Sequence, residues 1–77
     1  MLNVGDLVQA SEDYHLQPRG LGCNCFFCLN NNRDAIGIVT TVWIEEDDCH
    51  ASIIEFPIGE WVFRENEYKQ LNIISAL

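Results

Sequence analysis

The chain has few basic residues and no long apolar run. Four lysine and arginine residues stand against twelve aspartate and glutamate residues among 77, so the formal net charge is −8. Nucleic-acid affinity depends on neutralising phosphates with basic side chains, so a nucleic-acid partner is not expected. The apolar stretches are only a few residues long, and no basic start precedes one. We therefore expect neither a membrane span nor a signal peptide.

Sequence motifs of catalysis are also missing. The chain has no glycine-rich phosphate loop, no His-Glu pair at helical spacing and no serine-centred elbow. Cys49 next to His50 is not evidence for a thiol nucleophile with its base, because neighbours on a strand point to opposite faces. The acidic run 45–48 lacks the spacing and the glycine of a calcium loop, which favours a solvated turn. We expect a protein that is not an enzyme.

Apolar content is sufficient for one packed domain over residues 1–77. Leucine, isoleucine, valine and phenylalanine make up 24 residues, more than a disordered chain would carry. A chain of this length buries roughly 60–65% of its unfolded surface, so the core is small.

Period-two alternation is the main structural signal. Beyond Ala35, one set of apolar side chains (Ile36, Ile38, Val42, Ile44) alternates with a second set (Val39, Thr41, Trp43). Gly37 suggests a bulge or bend within this strand. Four more strands are predicted, at 7–10, 51–56, 60–64 and 71–74, with 66–68 as a turn too brief for a helix. The fold class is therefore all-β, with five short strands closing into a small barrel. The expected core includes Val8, Ile38, Val42, Ile54, Phe56, Val62 and Leu71.

A long loop insert, about residues 11–34, follows the first strand and carries Cys23, Cys25 and Cys28. Loops of this length are normally functional or locally stapled. Cys49 is the fourth thiol. In a reducing compartment two disulfides are disfavoured, so metal binding or free thiols are the better interpretations.

Zinc is the metal that these ligands favour. Four cysteines satisfy one tetrahedral site with Zn–S distances of about 2.3 Å, and His50 or His15 is a substitute ligand. Phe26 and Phe27 are apolar neighbours that would shield the ion. The alternatives are free, core-packed thiols and, less favoured, an iron–sulfur cluster. Zinc would order the insert, whereas the strands carry their own apolar alternation.

Aromatic residues are the candidates for partner binding. Trp43, Trp61 and Tyr68 belong to strands or turns of a small barrel, in which two tryptophans are hard to bury completely. The alternative is that both tryptophans fill the core.

Several short segments resemble the SH3-like small barrel. They are Gly5-Asp6-Leu7-Val8, Gly37-Ile38-Val39, the hairpin from Phe56 to Phe63 and Leu71-x-Ile73-Ile74. More narrowly, they are similar to the short "GDLV…GIV" proteins of tailed phages. In the SH3-like arrangement the insert lies beside the loop between the second and third strands, so Cys49 and His50 would approach the three clustered cysteines.

The resemblance implies a protein-binding role without catalytic residues. We expect a small structural or accessory component of a tailed-phage particle, located in the virion or the host cytoplasm. The alternative is a phage-encoded cytosolic effector that binds a host protein through a zinc-stapled loop. The sequence specifies neither the partner nor the oligomeric state.

Overall fold

The protein is mostly β, as the alternation predicts. A computed structural model describes residues 2–18, 20–29 and 33–75. The strands are β1 (Leu7–Ala10), β2 (Ile36–Ile44), β3 (His50–Phe56), β4 (Gly59–Arg64) and β5 (Leu71–Ser75). Between them lie two 3₁₀ helices (Glu12–Tyr14 and Glu65–Gln70) and the single helical turn α1 (Phe26–Leu29). None of the helices in these described ranges has the length and apolarity needed to cross a membrane.

The five strands form one antiparallel sheet in the order β4-β3-β2-β1-β5. Within the described residues β4 and β5 are the two edges and do not pair with each other, so the sheet is open. Consecutive hairpins build its centre, with Val8 opposite Gly37 and Val39 opposite Ile54. β5 then pairs with β1, which places the last strand beside the first.

One face of the sheet forms the core, and a bulge decides which side chains reach it. The register between β2 and β3 shifts between Val39 and Thr41. Val39 and Ile54 are fully buried, whereas Ile38 pairs with Glu55 on the other face. A single period-two pattern along β2 therefore fails, because an extra residue in one strand reverses the alternation.

Four of the expected core residues are confirmed and three are wrong. Those buried as expected are Val8, Ile54, Phe56 and Leu71. Ile38 and Val42 are each 41% exposed and Val62 is 44% exposed. Val62 lies opposite Ile53, between the inward-facing Trp61 and Phe63, so it belongs to the outer face.

Gly37 was expected to mark a bulge or bend, but the register shift of β2 lies beyond it, between Val39 and Thr41, and Gly37 itself provides a close approach between strands. A Cβ atom at this position would lie 2.7 Å from Ile54 Cγ2 and 2.7 Å from Phe56 Cε1. The absence of a side chain therefore lets two core residues of β3 pack directly on the backbone of β2.

The segment 66–68 was expected as a turn too brief for a helix, and this is wrong. It lies within the second 3₁₀ helix, Glu65–Gln70. The backbone N–H of Arg64 donates to Glu67 Oε1 at 3.0 Å, which satisfies a donor at the start of this helix.

Two isoleucines test which face of the sheet is the core. We expect Ile54→Ala to cost about 2–5 kcal/mol of unfolding free energy, because a fully buried side chain leaves a cavity. Ile38→Ala should cost about 0.5 kcal/mol or a little more, because this side chain is 41% exposed. Urea unfolding followed by circular dichroism measures both variants. Equal losses would contradict the assignment of the faces.

Candidate metal centre

The insert is folded against the sheet by contacts at both of its ends. Its first residue, Ser11, donates its backbone N–H to the carbonyl oxygen of Gln70 at 2.7 Å. At its far end Gln9 Nε2 donates to the carbonyl oxygen of Asp34, also at 2.7 Å. The insert therefore starts and finishes at fixed points beside β1.

The centre of the insert is fixed by one buried aromatic ring. Phe27 in α1 is 1% exposed, and its ring centroid lies 4.8 Å from that of Phe56 and 5.2 Å from that of Tyr14. Both contacts are edge-to-face, a favourable geometry for aromatic pairs. The expected shielding role of Phe26 concerns a side chain outside the described part of the structure.

Four potential ligands converge beside this ring. Nδ1 of His15 and the Sγ atoms of Cys23, Cys25 and Cys28 all lie within 4.8 Å of one another. His15 directly follows the first 3₁₀ helix, and its Nδ1 lies 3.0 Å from Cys25 Sγ and 3.5 Å from Cys28 Sγ. His15 and Cys25 are buried, and no disulfide joins the cysteines.

The helical turn explains why the last two thiols point the same way. Cys25 immediately precedes α1, and the backbone N–H of Leu29 donates to its carbonyl oxygen at 3.0 Å. Residues three apart on a helix lie on one face, which places Cys28 next to Cys25. Phe27, one residue before Cys28, extends instead into the core.

The donor set fits zinc. Zn–S bonds of about 2.3 Å and Zn–N bonds of about 2.0 Å place tetrahedral ligands about 3.5–3.8 Å apart, so the four donors need only small shifts to coordinate an ion. Three thiols and one imidazole are a common structural zinc set, and soft sulfur ligands disfavour calcium and magnesium. The expectation of a possible zinc ion is thus supported by the geometry.

The thiols differ in their readiness to lose a proton. Burial by itself would raise the pKa of Cys23, but hydrogen bonds, including those from the backbone N–H groups of Cys25 and Gln17, outweigh it and lower the pKa to about 6. Burial raises the pKa of Cys25 to about 11. In the metal-free chain the lowered pKa of Cys23 favours its thiolate at neutral pH, whereas metal binding must displace a proton from Cys25.

Arg33 lies against the candidate metal site, a contact that the sequence does not predict. Its Nη1 donates to Cys28 Sγ at 3.2 Å, and its Nη2 donates to a carboxylate oxygen of Glu12 and to the carbonyl oxygen of Gln17. The side chain is only 12% exposed. The guanidinium therefore supplies positive charge beside a site whose three thiolates would give bound zinc a net negative charge.

Cys49 is not among the four clustered donors. It lies in the connection between β2 and β3, where its backbone N–H donates to Asp47 Oδ1 at 3.3 Å. The insert joins β1 to the start of β2, whereas Cys49 follows the other end of the same strand, and nine extended residues span roughly 25–30 Å. The four-cysteine set expected from the sequence is thus replaced by a set in which His15 takes the fourth place.

His50 also lies at the far end of β2, opposite Ile44. Its backbone N–H donates to Glu65 Oε1 at 3.2 Å. Of the two histidines expected as substitutes, the structure therefore brings only His15 to the cysteines. The sequence gives little indication that His15 is the fourth ligand, because His15 precedes Cys23 by eight positions and does not form a closely spaced ligand pair with it.

The three aromatic residues expected to bind a partner do not lie together. Trp43 and Tyr68 line one groove of about 340 Å³ with Leu2, Val42 and Ile44. Trp61 lies on the inner face of β4, with its ring centroid 6.1 Å from that of Phe27. The structure thus groups Trp43 with Tyr68 and places Trp61 at the margin of the core.

Comparison with known proteins does not extend this description. No protein-family model matches the chain, and neither a curated protein nor a solved structure is significantly similar to it.

Two cysteine variants separate the observed ligand set from the expected one. We expect the chain to bind one Zn²⁺. Loss of a residue that only hydrogen-bonds a zinc ligand typically weakens binding about 10–100-fold, and Cys25→Ser should weaken it further because it removes a ligand. Cys49→Ser should keep the wild-type affinity, because Cys49 lies at the opposite end of β2. Native mass spectrometry and competition with a chelator measure both. Loss of zinc from Cys49→Ser would contradict this ligand set.

Proposed function

We propose that the chain is a non-enzymatic protein-binding module whose insert is fixed by a structural zinc ion. The observation that carries this proposal is the convergence of His15, Cys23, Cys25 and Cys28 within 4.8 Å of one another. A set of four protein ligands fills a tetrahedral shell and leaves no open position for substrate, which is typical of structural zinc.

The zinc ion would act by ordering the insert. Fixing each residue costs about 1–2 kcal/mol in backbone entropy, and a single helical turn such as α1 cannot supply this by itself. Zinc that binds only the folded arrangement contributes its binding free energy to that ordering. Arg33 supports the same arrangement by joining Cys28 to Glu12 across the insert.

For the scaffold, we propose an open form of the SH3-like barrel. The support is the chain order, in which four successive strands are followed by a 3₁₀ helix and by a last strand that returns to β1. Five paired strands give a rigid base from which loops contact a partner.

For the biological setting, we propose a small structural or accessory component of a tailed-phage particle. The support is the resemblance of the Gly5–Val8 and Gly37–Val39 segments to short phage proteins. The partner we propose is a protein, since the charge of −8 opposes contact with nucleic acid. The second candidate, a cytosolic effector that binds a host protein, rests on the same insert as its contact surface.

Removal of zinc tests the structural role. After chelation we expect chymotrypsin to cleave the insert rapidly at Leu16, Leu21 or Leu29, whose side chains are already exposed. The β-sheet circular dichroism should largely persist, because the strands have their own pairing. Cys25→Ser should reproduce the cleavage and Cys49→Ser should not. An insert that stays resistant without metal would show that zinc has no structural role.

The location of the chain tests the biological proposal. Purified virions should contain the chain in a fixed ratio to the other particle proteins, as measured by quantitative mass spectrometry. Infected-cell lysate depleted of particles is the matched sample. If the chain is found in the lysate and is missing from virions, the proposal of a particle component is rejected and the proposal of a host-binding effector is kept.

A further inference from the structure

The inner face of the sheet is only partly covered. The insert lies over the end near Gly37, where Phe27 contacts Phe56. At the other end Val42 and Ile44 face the same side as the buried Ser52, yet they are 41% and 62% exposed. An apolar groove of about 340 Å³ therefore begins where the cover provided by the insert ends.

Two residues that line this groove, Leu2 and Tyr68, are held in place by contacts within the protein. Leu2 is 3% exposed and forms part of the lining. Tyr68 from the second 3₁₀ helix is held by its hydroxyl, which lies 2.5 Å from the buried Ser52 Oγ. A preformed groove loses little conformational entropy on binding, which favours its use as a binding site.

The groove has an acidic border on one side. Glu45, Glu46, Asp47 and Glu65 line an adjoining hollow of about 740 Å³, and among the described residues Arg64 is its one basic lining residue. Arg64 Nη2 lies 3.3 Å from Glu45 Oε1, which leaves the other three carboxylates in excess. His50 joins the two regions, because it lines the groove while its backbone N–H donates to Glu65.

We propose that this groove binds a segment of another protein that presents a large apolar side chain next to lysine or arginine. The apolar side chain would cover Val42 and Ile44, removing exposed apolar surface from water. The basic side chain would enter the acidic hollow, whose field attracts cations. This inference rests on the proposed protein-binding function and names the chemistry of its partner.

Charge decides between this occupant and the other candidates. A second copy of the chain would bring the same acidic border, and like charges facing each other disfavour the contact. Four of the twelve acidic residues line the hollow beside the groove. A cationic segment of a different protein is the occupant that this distribution favours.

Selection from a random peptide library on the zinc-loaded chain tests the proposal. Enriched peptides should combine a large apolar residue with an adjacent lysine or arginine, and their binding should shift the amide signals of residues 42–44 and 68 in nuclear magnetic resonance spectra. Acidic or uncharged consensus peptides would overturn the proposal. Shifts confined to the outer face at Ile38 and Val62, or no enrichment at all, would overturn it as well.

Matched variants locate the contact. Ile44→Ser should weaken the binding of a selected peptide about tenfold or more, since this apolar contact is lost. Ile36→Ser is the control, because Ile36 is 49% exposed at the other end of the same strand. Circular dichroism checks that the Ile44→Ser and Ile36→Ser variants are folded. Ile44→Lys is a second variant that removes the same apolar contact. Equal effects of the variants at 44 and 36, or dimerisation of the free chain that Ile44→Ser abolishes, would overturn the proposal.

The acidic border is tested separately. Glu46→Gln should weaken a selected peptide about two- to threefold at low salt and make binding less salt-sensitive, whereas Glu60→Gln on β4 should not. Native mass spectrometry of the same samples reports the zinc content. If the samples contain no zinc and bind no peptide, the proposed function is rejected. If they retain zinc but bind the peptide on another face of the sheet, only the proposal for the groove is rejected.

Discussion

The contact between Phe27 and Phe56 is the interaction on which the rest of the structure depends. Phe56 lies on the inner face at the end of β3, against the side-chain-free backbone of Gly37. Phe27 covers it from the insert with an edge-to-face geometry. An open sheet of five short strands leaves its inner face to water, and here the insert supplies part of the missing layer. The insert is thus part of the core.

This contact also determines where the candidate metal site can lie. Phe27 and the thiols of Cys25 and Cys28 leave the same helical turn in different directions, the ring toward the sheet and the sulfurs toward His15. A turn of four residues is not stable in isolation, so burial on one side and ligand contacts on the other must hold it. The core and the candidate metal site therefore share α1, so a change in the packing of one alters the geometry of the other.

The sequence allows the strands to be predicted and leaves their pairing open. Alternation identifies all five strands, and the cluster of cysteines correctly marks a possible metal site. The choice of core residues failed at Ile38 because the bulge after Val39 reverses the alternation without a local signal. The position of Cys49 is not predictable in the same way, because it depends on which strands are neighbours. Once β1, β2 and β3 are known to form consecutive hairpins, their two connections must lie at opposite ends of β2.

The close spacing of the four donors has a consequence for how the molecule is made. His15 through Cys28 are fourteen consecutive residues, so closing their loops costs little entropy. The pairing of Val8 with Ile73, in contrast, can form only after nearly the whole chain has been synthesised. On a ribosome, where the N-terminal part emerges first, the insert can gather its ligands while β3 to β5 are still unmade. The part of the molecule with the least regular structure is then the first to begin to assemble, and it is completed only when Phe56 covers Phe27.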